Sequence, residues 1–464
     1  MAGHLRSASA GISIFLIALL YKSFALDSTH VVIVILSQEN SYHETNAEYL
    51  KESILHQAES LQVSHNSKVI VEVLPDEKTH IGYWTIIPLF PRLVRDHGKN
   101  SIWIYFCEDS TIINLKRLIS GLQKFDKTQK IWIGFGLNDE EPTIIHHFAF
   151  PEDPTVFKYP LISAGFAITT SLLKELNFRK ILDSDKESEF SIDASHELAL
   201  YIGETYPLKH KPSLFCDKPN ESCASYPNKI KYCKPTLDVN EIYFAVKTCH
   251  KYHLNRVPFV QKTWGKEAKY IKFFSDIGND TIPTTQVGIK NTERGHCLKT
   301  MKILKMALEE ATNILKTIKW VILADDDTIL SVRRLQSHLS CYSPDSIVGE
   351  RYGFKVLRGH GYNYLTGGGG IAFGIDTLHD IVNFCNCPQI DSPDDMVLGL
   401  CIATLNISLT HSSLFHQARP MDYPSSYLDI GYPVSFHKHW NVDPMLVYTK
   451  WLSVPSSDLI HTEL

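Results

Sequence analysis

Asp325, Asp326 and Asp327 stand where the apolar run Lys319–Ala324 (KWVILA) stops. Three adjacent carboxylates repel one another unless a cation neutralises them, and oxygen ligands suit Mg²⁺ or Mn²⁺. An ion held there would in turn hold a diphosphate. The alternative reading of the triplet is a solvated turn that caps the helix after Thr328. Downstream, the glycine run Gly367–Gly370 precedes Ile371-Ala372-Phe373. Glycines let backbone come close to a ligand, although the run also suits a plain loop.

These groups need strand ends to hold them. Val31 to Leu36, Lys68 to Leu74, Ser101 to Cys107 and Ile131 to Phe135 read as strands; so do Ile242 to Val246, Tyr270 to Phe274 and Trp320 to Leu323. Before the last of these, Leu298, Met301, Leu304, Leu308, Ala311 and Leu315 recur at helical spacing. Strand–helix alternation predicts an α/β fold with a mostly parallel sheet, whose ligands gather outside the carboxyl ends of the strands. The chain also repeats itself. IYFCEDST at Ile104 matches VILADDDT at Val321, SAGFAI at Ser163 matches the glycine run, IDASHEL at Ile192 matches IDSPDDM at Ile390, and SLFC at Ser213 matches SLFH at Ser413. Four matches in one order predict two tandem copies of a unit of about 200 residues, an ordinary domain size.

With 464 residues, 44% of them hydrophobic, the chain can bury ordinary cores, which excludes disorder and collagen. Its 46 basic and 51 acidic residues give −5 with no block of like charge, so nothing recommends a nucleic-acid partner. Gly11 to Leu20 is apolar but too short to span a membrane, and Ser23-Phe24-Ala25 suits cleavage, so residues 1–25 read as a signal peptide. The last four residues, His461-Thr462-Glu463-Leu464, are similar to the tail that a receptor reads to keep soluble proteins in the endoplasmic reticulum. In that lumen cysteines favour disulfides over zinc. Cys216, Cys223, Cys233 and Cys249 cluster without paired CxxC spacing, which predicts two bridges at a domain junction. Asn220, Asn279 and Asn406 begin glycosylation sequons.

The motifs of the C-terminal copy resemble those of the fringe-like β-1,3-glycosyltransferases, glycosyltransferase family 31. They are Ala245-Val246-Lys247-Thr248 with Arg256 and Thr263-Trp264, Phe274-Ser275-Asp276, the acids Asp325 to Asp327, and Gly367 to Gly370. Pro393-Asp394-Asp395, Leu414-Phe415-His416 and Ser435-Phe436-His437-Lys438-His439-Trp440 follow in family order. GERYGF at Gly349, the two-copy layout and the tail are most similar to the branch that adds glucose to O-linked fucose on thrombospondin type 1 repeats.

The resemblance implies a GT-A fold, a divalent metal (usually Mn²⁺), a UDP-sugar donor and inversion at the anomeric carbon. It makes Asp325 and Asp327 the metal acids, His416 the metal histidine and Asp395 the base. Asp326, Gly368, Gly369 and Asp276 fall on the donor side. Arg256 either contacts the diphosphate or caps its helix, and Trp264 reads as core. Asp394 and Trp440 fall on the acceptor side; His437 and His439 line the acceptor pocket or merely hold the last strand. The expected layout is a degenerate GT-A-like domain over 26–215, a linker over 216–238, a catalytic domain over 239–460 and the tail.

In the first copy Glu108-Asp109-Ser110 replaces the triplet, His196-Glu197 the Asp-Asp pair and Cys216 the His416 position. Such a site should bind metal weakly, leaving an inactive copy free to grip a folded acceptor. Donor choice depends on pocket shape, so UDP-GlcNAc or UDP-galactose transfer stays open. A non-catalytic luminal lectin or folding factor is the alternative of another class, and the intact acids of the second copy argue against it.

Overall fold

The computed structural model describes residues 30–65, 68–75, 80–182, 189–229 and 233–454. Residues 1–25, read above as a signal peptide, and the His461–Leu464 tail lie outside these residues. Among the described residues no helix is long and apolar enough to cross a membrane.

The fold is mixed α/β, built on two sheets. In the N-terminal half the strands are β1 (Val31–Leu36), β2 (Val69–Leu74), β3 (Trp103–Glu108), β4 (Trp132–Gly134), β5 (Phe166–Thr169) and β6 (Lys209–His210), in the order β6-β4-β5-β3-β1-β2. The C-terminal half has β7 (Ile242–Lys247), β8 (Tyr270–Ser275), β9 (Thr284–Gln286), β10 (Trp320–Asp325), β11 (Ile347–Gly349), β12 (Ile371–Gly374) and β13 (Leu409–His411), in the order β9-β8-β7-β10-β12-β11-β13. Each sheet is parallel except for one reversed strand, β5 or β12, at the same place in the order. Apart from β9, the two sheets correspond strand for strand.

Alternate residues of each strand feed opposite cores, as the period of two requires. Val32, Val34, Ile104 and Phe106 pack on one side of the first sheet, and Ile33, Ile35, Trp103 and Tyr105 on the other. In the second sheet Phe244, Val246, Trp320 and Ile322 face away from Tyr243, Ala245, Val321 and Leu323. The helical stripe falls on Cys297–Glu310 and its continuation Ala311–Leu315. Leu304, Leu308 and Ala311 are buried there, while Leu298 at the first turn is exposed.

The turns after β3 and β10 are held alike. Thr111 Oγ1 accepts from the Glu108 N–H at 3.1 Å and donates to the Ser163 carbonyl. Thr328 Oγ1 accepts from the Asp325 N–H at 2.9 Å and donates to the Gly368 carbonyl. Each turn then pairs with a late strand: Thr111–Ile113 with Ser225–Pro227, and Thr328–Leu330 with Ser435–His437. The segment expected to be linker thus contributes Ser225–Pro227 to the N-terminal body.

The cysteine pairing differs from expectation. Cys216 bonds Cys223 within the junction, Cys233 reaches across to Cys341, and Cys249 is a buried free thiol. Cys297–Cys387 and Cys385–Cys401 tie the C-terminal half. Sequence proximity misled because Cys249 lies just past the end of β7, while Cys341 follows helix Val332–Leu339 and meets the incoming chain.

Candidate active site

Parallel register puts Lys247, last in β7, directly beside Asp325, last in β10. Its Nζ lies 3.1 Å from Asp325 Oδ1 and 2.7 Å from Asp394 Oδ2. Burial opposes the ammonium charge, but the two carboxylates outweigh it and hold the lysine above its usual range. Asp394 also accepts from Thr300 Oγ1 at 2.6 Å. Burial alone would raise Asp394; Lys247 and Thr300 instead hold it well below the usual carboxylate range. Asp394 is therefore a fixed anion tied into the sheet, not a free group facing an acceptor.

The triplet splits by direction. Asp326 points inward, accepting from Thr248 Oγ1 at 2.6 Å and from Arg256 at 2.9 Å, and burial pushes it up to about 6. Asp327 points out, 2.9 Å from the same Arg256 nitrogen and 3.1 Å from His437 Nε2. Arg256, stacked 3.8 Å over the Tyr252 ring, is neither a cap nor a free anion hook; Asn255 caps its helix.

The ligand atoms of Asp325, Asp327 and His437 all lie within 4.8 Å of one another. Two carboxylates and an imidazole fit a divalent ion of the Mg²⁺ or Mn²⁺ kind. The donor set is prepared, because His437 Nδ1 lies 3.0 Å from the Gln417 carbonyl. A proton on Nδ1 donated there leaves the Nε2 lone pair for a metal.

Among the described residues His437 lies within this group and His416 does not. His416 is buried with Nδ1 2.9 Å from the Ser435 carbonyl, its ring stacked on Phe436 and its Nε2 without a hydrogen-bond partner. Burial pulls it down to about 4, so it is a neutral core histidine. The ribbon explains the exchange: pairing Thr328 with His437 swings that side chain over the acid turn, while Phe436 turns into the core.

The glycine run has a related purpose. A Cβ on Gly368 would lie 2.2 Å from His437 Nδ1, and one on Gly369 would lie 3.2 Å from the His416 backbone. Both glycine N–H groups donate to Gln417 Oε1, at 3.0 and 3.2 Å. The close approach is to His437 and to the backbone of His416, whereas Gly367 faces open space.

Asp395 is second in helix Asp394–Thr404. Burial, with Asp394 adding to it, pushes its carboxyl up to about 6. It is mostly ionised at neutral pH yet able to take a proton, as a general base must be.

Similarity to known proteins bears on this site. The model of the family described as Fringe-like matches residues 237–455. The chain is 43% identical to a β-1,3-glucosyltransferase of Homo sapiens over 94% of its own length and 88% of that protein. The Mus musculus β-1,3-glucosyltransferase is also 43% identical, over 93% and 88%. The chain belongs to the fringe-like β-1,3-glycosyltransferases. A β-1,3-N-acetylglucosaminyltransferase radical fringe of Xenopus laevis is 28% identical over 46% of this chain and 67% of that protein.

In this fringe-like enzyme the remaining positions fall as follows. Asp276 accepts from the His250 N–H at 2.9 Å and from Ser275 Oγ at 3.0 Å at the end of β8, two strands from the acid triplet. Trp264 is fully buried and donates to the Thr328 carbonyl at 3.0 Å, so it braces the acid turn from the core. Trp440 is 57% exposed beside Arg419, and His439 packs on Phe259. Asn220 and Asn406 are exposed and Asn279 half-buried. In the N-terminal half the register puts Pro227 opposite Thr111, where the C-terminal half has His437 opposite Thr328. Pro227 is thus the counterpart of His437, as Cys216 is of His416 in the sequence repeat. Sequence reasoning missed Lys247 as a bridging cation; its place at a strand end beside two acids was the available signal.

Proposed function

We propose that this enzyme transfers glucose from UDP-glucose, with inversion, to the 3-hydroxyl of O-linked fucose on thrombospondin type 1 repeats. The observation that carries the reading is the gathering of Asp325, Asp327 and His437 at the carboxyl ends of the central strands β7 and β10, where Lys247 fixes Asp394, next to Asp395. Asp325, Asp327 and His437 would hold a divalent ion, Mn²⁺ by family habit. When bound, such an ion neutralises charge that builds on the departing diphosphate. Asp395 takes the acceptor hydroxyl's proton. Asp394 cannot, since its charge is committed to Lys247 and Thr300. Direct inversion requires no enzyme nucleophile.

Glucose as the donor sugar is supported by the names of the human and mouse relatives. The two sheets of matching order support tandem GT-A-like domains. A degenerate first domain is supported by Glu108-Asp109-Ser110 and Pro227 at the metal positions. The amino-terminal apolar segment and the HTEL tail support residence in the endoplasmic reticulum lumen through the retention receptor. The test incubates purified protein and Mn²⁺ with a fucosylated thrombospondin repeat and UDP-glucose, UDP-GlcNAc or UDP-galactose in turn. Consumption of UDP-glucose alone, with a hexose added to the repeat, is expected. Preference for another donor, or no transfer, refutes the assignment.

A further inference from the structure

A cavity of about 570 Å³ lies away from the acid triplet, over the carboxyl ends of β1, β2 and β3 in the N-terminal half. Its size is that of a small-molecule site, roughly 300–1,000 Å³. The turn Glu108-Asp109-Ser110 lines it from one half, and Arg351, Asn363 and His411 from the other. It therefore occupies the place where an open α/β sheet binds ligands.

The lining chemistry selects among ligands. Glu39, Glu108, Asp109, Asp193 and Glu350 face it, while Arg351 is its only arginine or lysine. Asp109 is already engaged by Ser37 at 3.0 Å and His43 at 2.7 Å. Neither metal-competent group among the described residues lines the cavity. Burial pushes Glu108 up to about 7 and Glu350 up to about 8. A nucleoside diphosphate would thus meet the charges of Glu39, Asp109 and Asp193 with one guanidinium and no metal-competent group to offset them, which Coulomb repulsion disfavours.

An uncharged, hydroxyl-rich ring meets no such penalty. Tyr42, Trp84 and Tyr342 supply aromatic surface, and Trp84 is fixed by its 3.0 Å bond to Asn363 Oδ1. The Arg351 guanidinium lies 4.5 Å over the Trp84 ring, and its Nε is buried without a hydrogen-bond partner. Ser163 Oγ, also in the lining, is buried and unpartnered as well. Buried donors left unpaired are costly, so a ligand bearing hydroxyl oxygens is a fitting partner. Exposed Glu39, Asn406 and Ser408 mark the mouth.

We propose that this cleft is a second carbohydrate site, which holds an uncharged pyranose without nucleotide or metal. The sugar arrives either as a small glycoside or as part of a glycan on a folded protein. The inference does not rest on the transfer reaction, because its readout is binding, and a wrong donor or acceptor assignment leaves it standing.

The test is saturation-transfer NMR on the full-length protein in EDTA, with methyl α-L-fucopyranoside and methyl β-D-glucopyranoside as probes. At least one should bind to wild type and to Asp327→Ala alike, and roughly fivefold or more weakly to Arg351→Gln, the loss of about one buried hydrogen bond. Ser110→Tyr, which fills the cleft from its rim, should remove the same component of the signal entirely; UDP–Mn²⁺ binding of both cleft variants reports that the protein is folded. Titration with a folded domain carrying the same sugar, and with its unglycosylated form, separates the two sources. Glycan-dependent affinity lost in Arg351→Gln assigns the sugar to a protein, and binding of the free glycoside alone assigns a small effector. No signal from either glycoside or from the glycosylated domain overturns the proposal, as does a signal that neither cleft variant reduces; the part of a fucoside signal that persists in both variants belongs to the acceptor side of the active site. Cleft-dependent binding of UDP in EDTA also overturns it, by making this a nucleotide site.

Discussion

Gly368→Ala adds one methyl group and no charge, yet it should disable metal binding. The new Cβ would sit 2.2 Å from His437 Nδ1, where ordinary contact begins at 3.4 Å, so the ring must retreat by about 1.2 Å. Retreat on one side is blocked by Asp327, 3.1 Å from Nε2, and the ring is anchored by the Gln417 carbonyl on the other. The displaced imidazole can no longer present Nε2 to an ion shared with Asp325 and Asp327. A misplacement of about 1 Å costs on the order of 10²-fold in rate, and disturbing the support of a ligand costs about 10–100-fold in metal affinity. Mn²⁺ affinity by electron paramagnetic resonance, together with transfer rate against Mn²⁺ concentration, reads both quantities. Gly367→Ala is the internal control, since its Cβ meets nothing within 4 Å. Wild-type Mn²⁺ dependence in Gly368→Ala, or equal damage from Gly367→Ala, would refute the reasoning.

Further outcomes are expected at the site, in the fold and in the cell. His437→Gln should weaken Mn²⁺ binding by about 10–100-fold or more, whereas His416→Leu should leave Mn²⁺ affinity unchanged; calorimetric titration of both decides between the two histidines. Asp395→Asn should keep donor binding and lose about 10²–10⁴-fold in transfer. Because Asp395 is pushed up to about 6, wild-type kcat/KM should fall as pH drops through about 6, where the base becomes protonated; a flat profile down to pH 5 would count against it. Lys247→Met leaves Asp325 and Asp394 without their shared cation, and a denaturant melt should show a loss of about 3–5 kcal/mol. Removing His461–Leu464 should send the protein into the medium of producing cells; continued retention would reject the tail as the signal.

Much of this protein is legible along the chain, because strands buried on both faces write themselves as unbroken Val, Ile and aromatic runs. The seven strands read from sequence all appear within two residues of their observed ends. The acids at the end of β10 and Asp395 at a helix start are also local facts, since a residue's place at an element's end follows from where the apolar pattern stops. Trp264 as core follows in the same way.

What the chain does not write is which distant segment lies against each end. His416 and His437 both sit among apolar neighbours, and nothing local ranks one above the other as a ligand. Only the pairing of Ser435–His437 with Thr328–Leu330 sets His437 over the acids and leaves His416 in the core. The need for glycine at Gly368 exists only once that ring is in place. The Cys233–Cys341 bond spans 108 residues, and the cavity over Glu108 to Ser110 is walled partly by Arg351, more than 200 residues later. Sequence therefore determined the elements and the chemical types at their ends, because these depend on periodic burial. Tertiary structure decided which histidine lies over the acids, the disulfide partners and the second cleft, because each depends on packing between segments far apart in the chain.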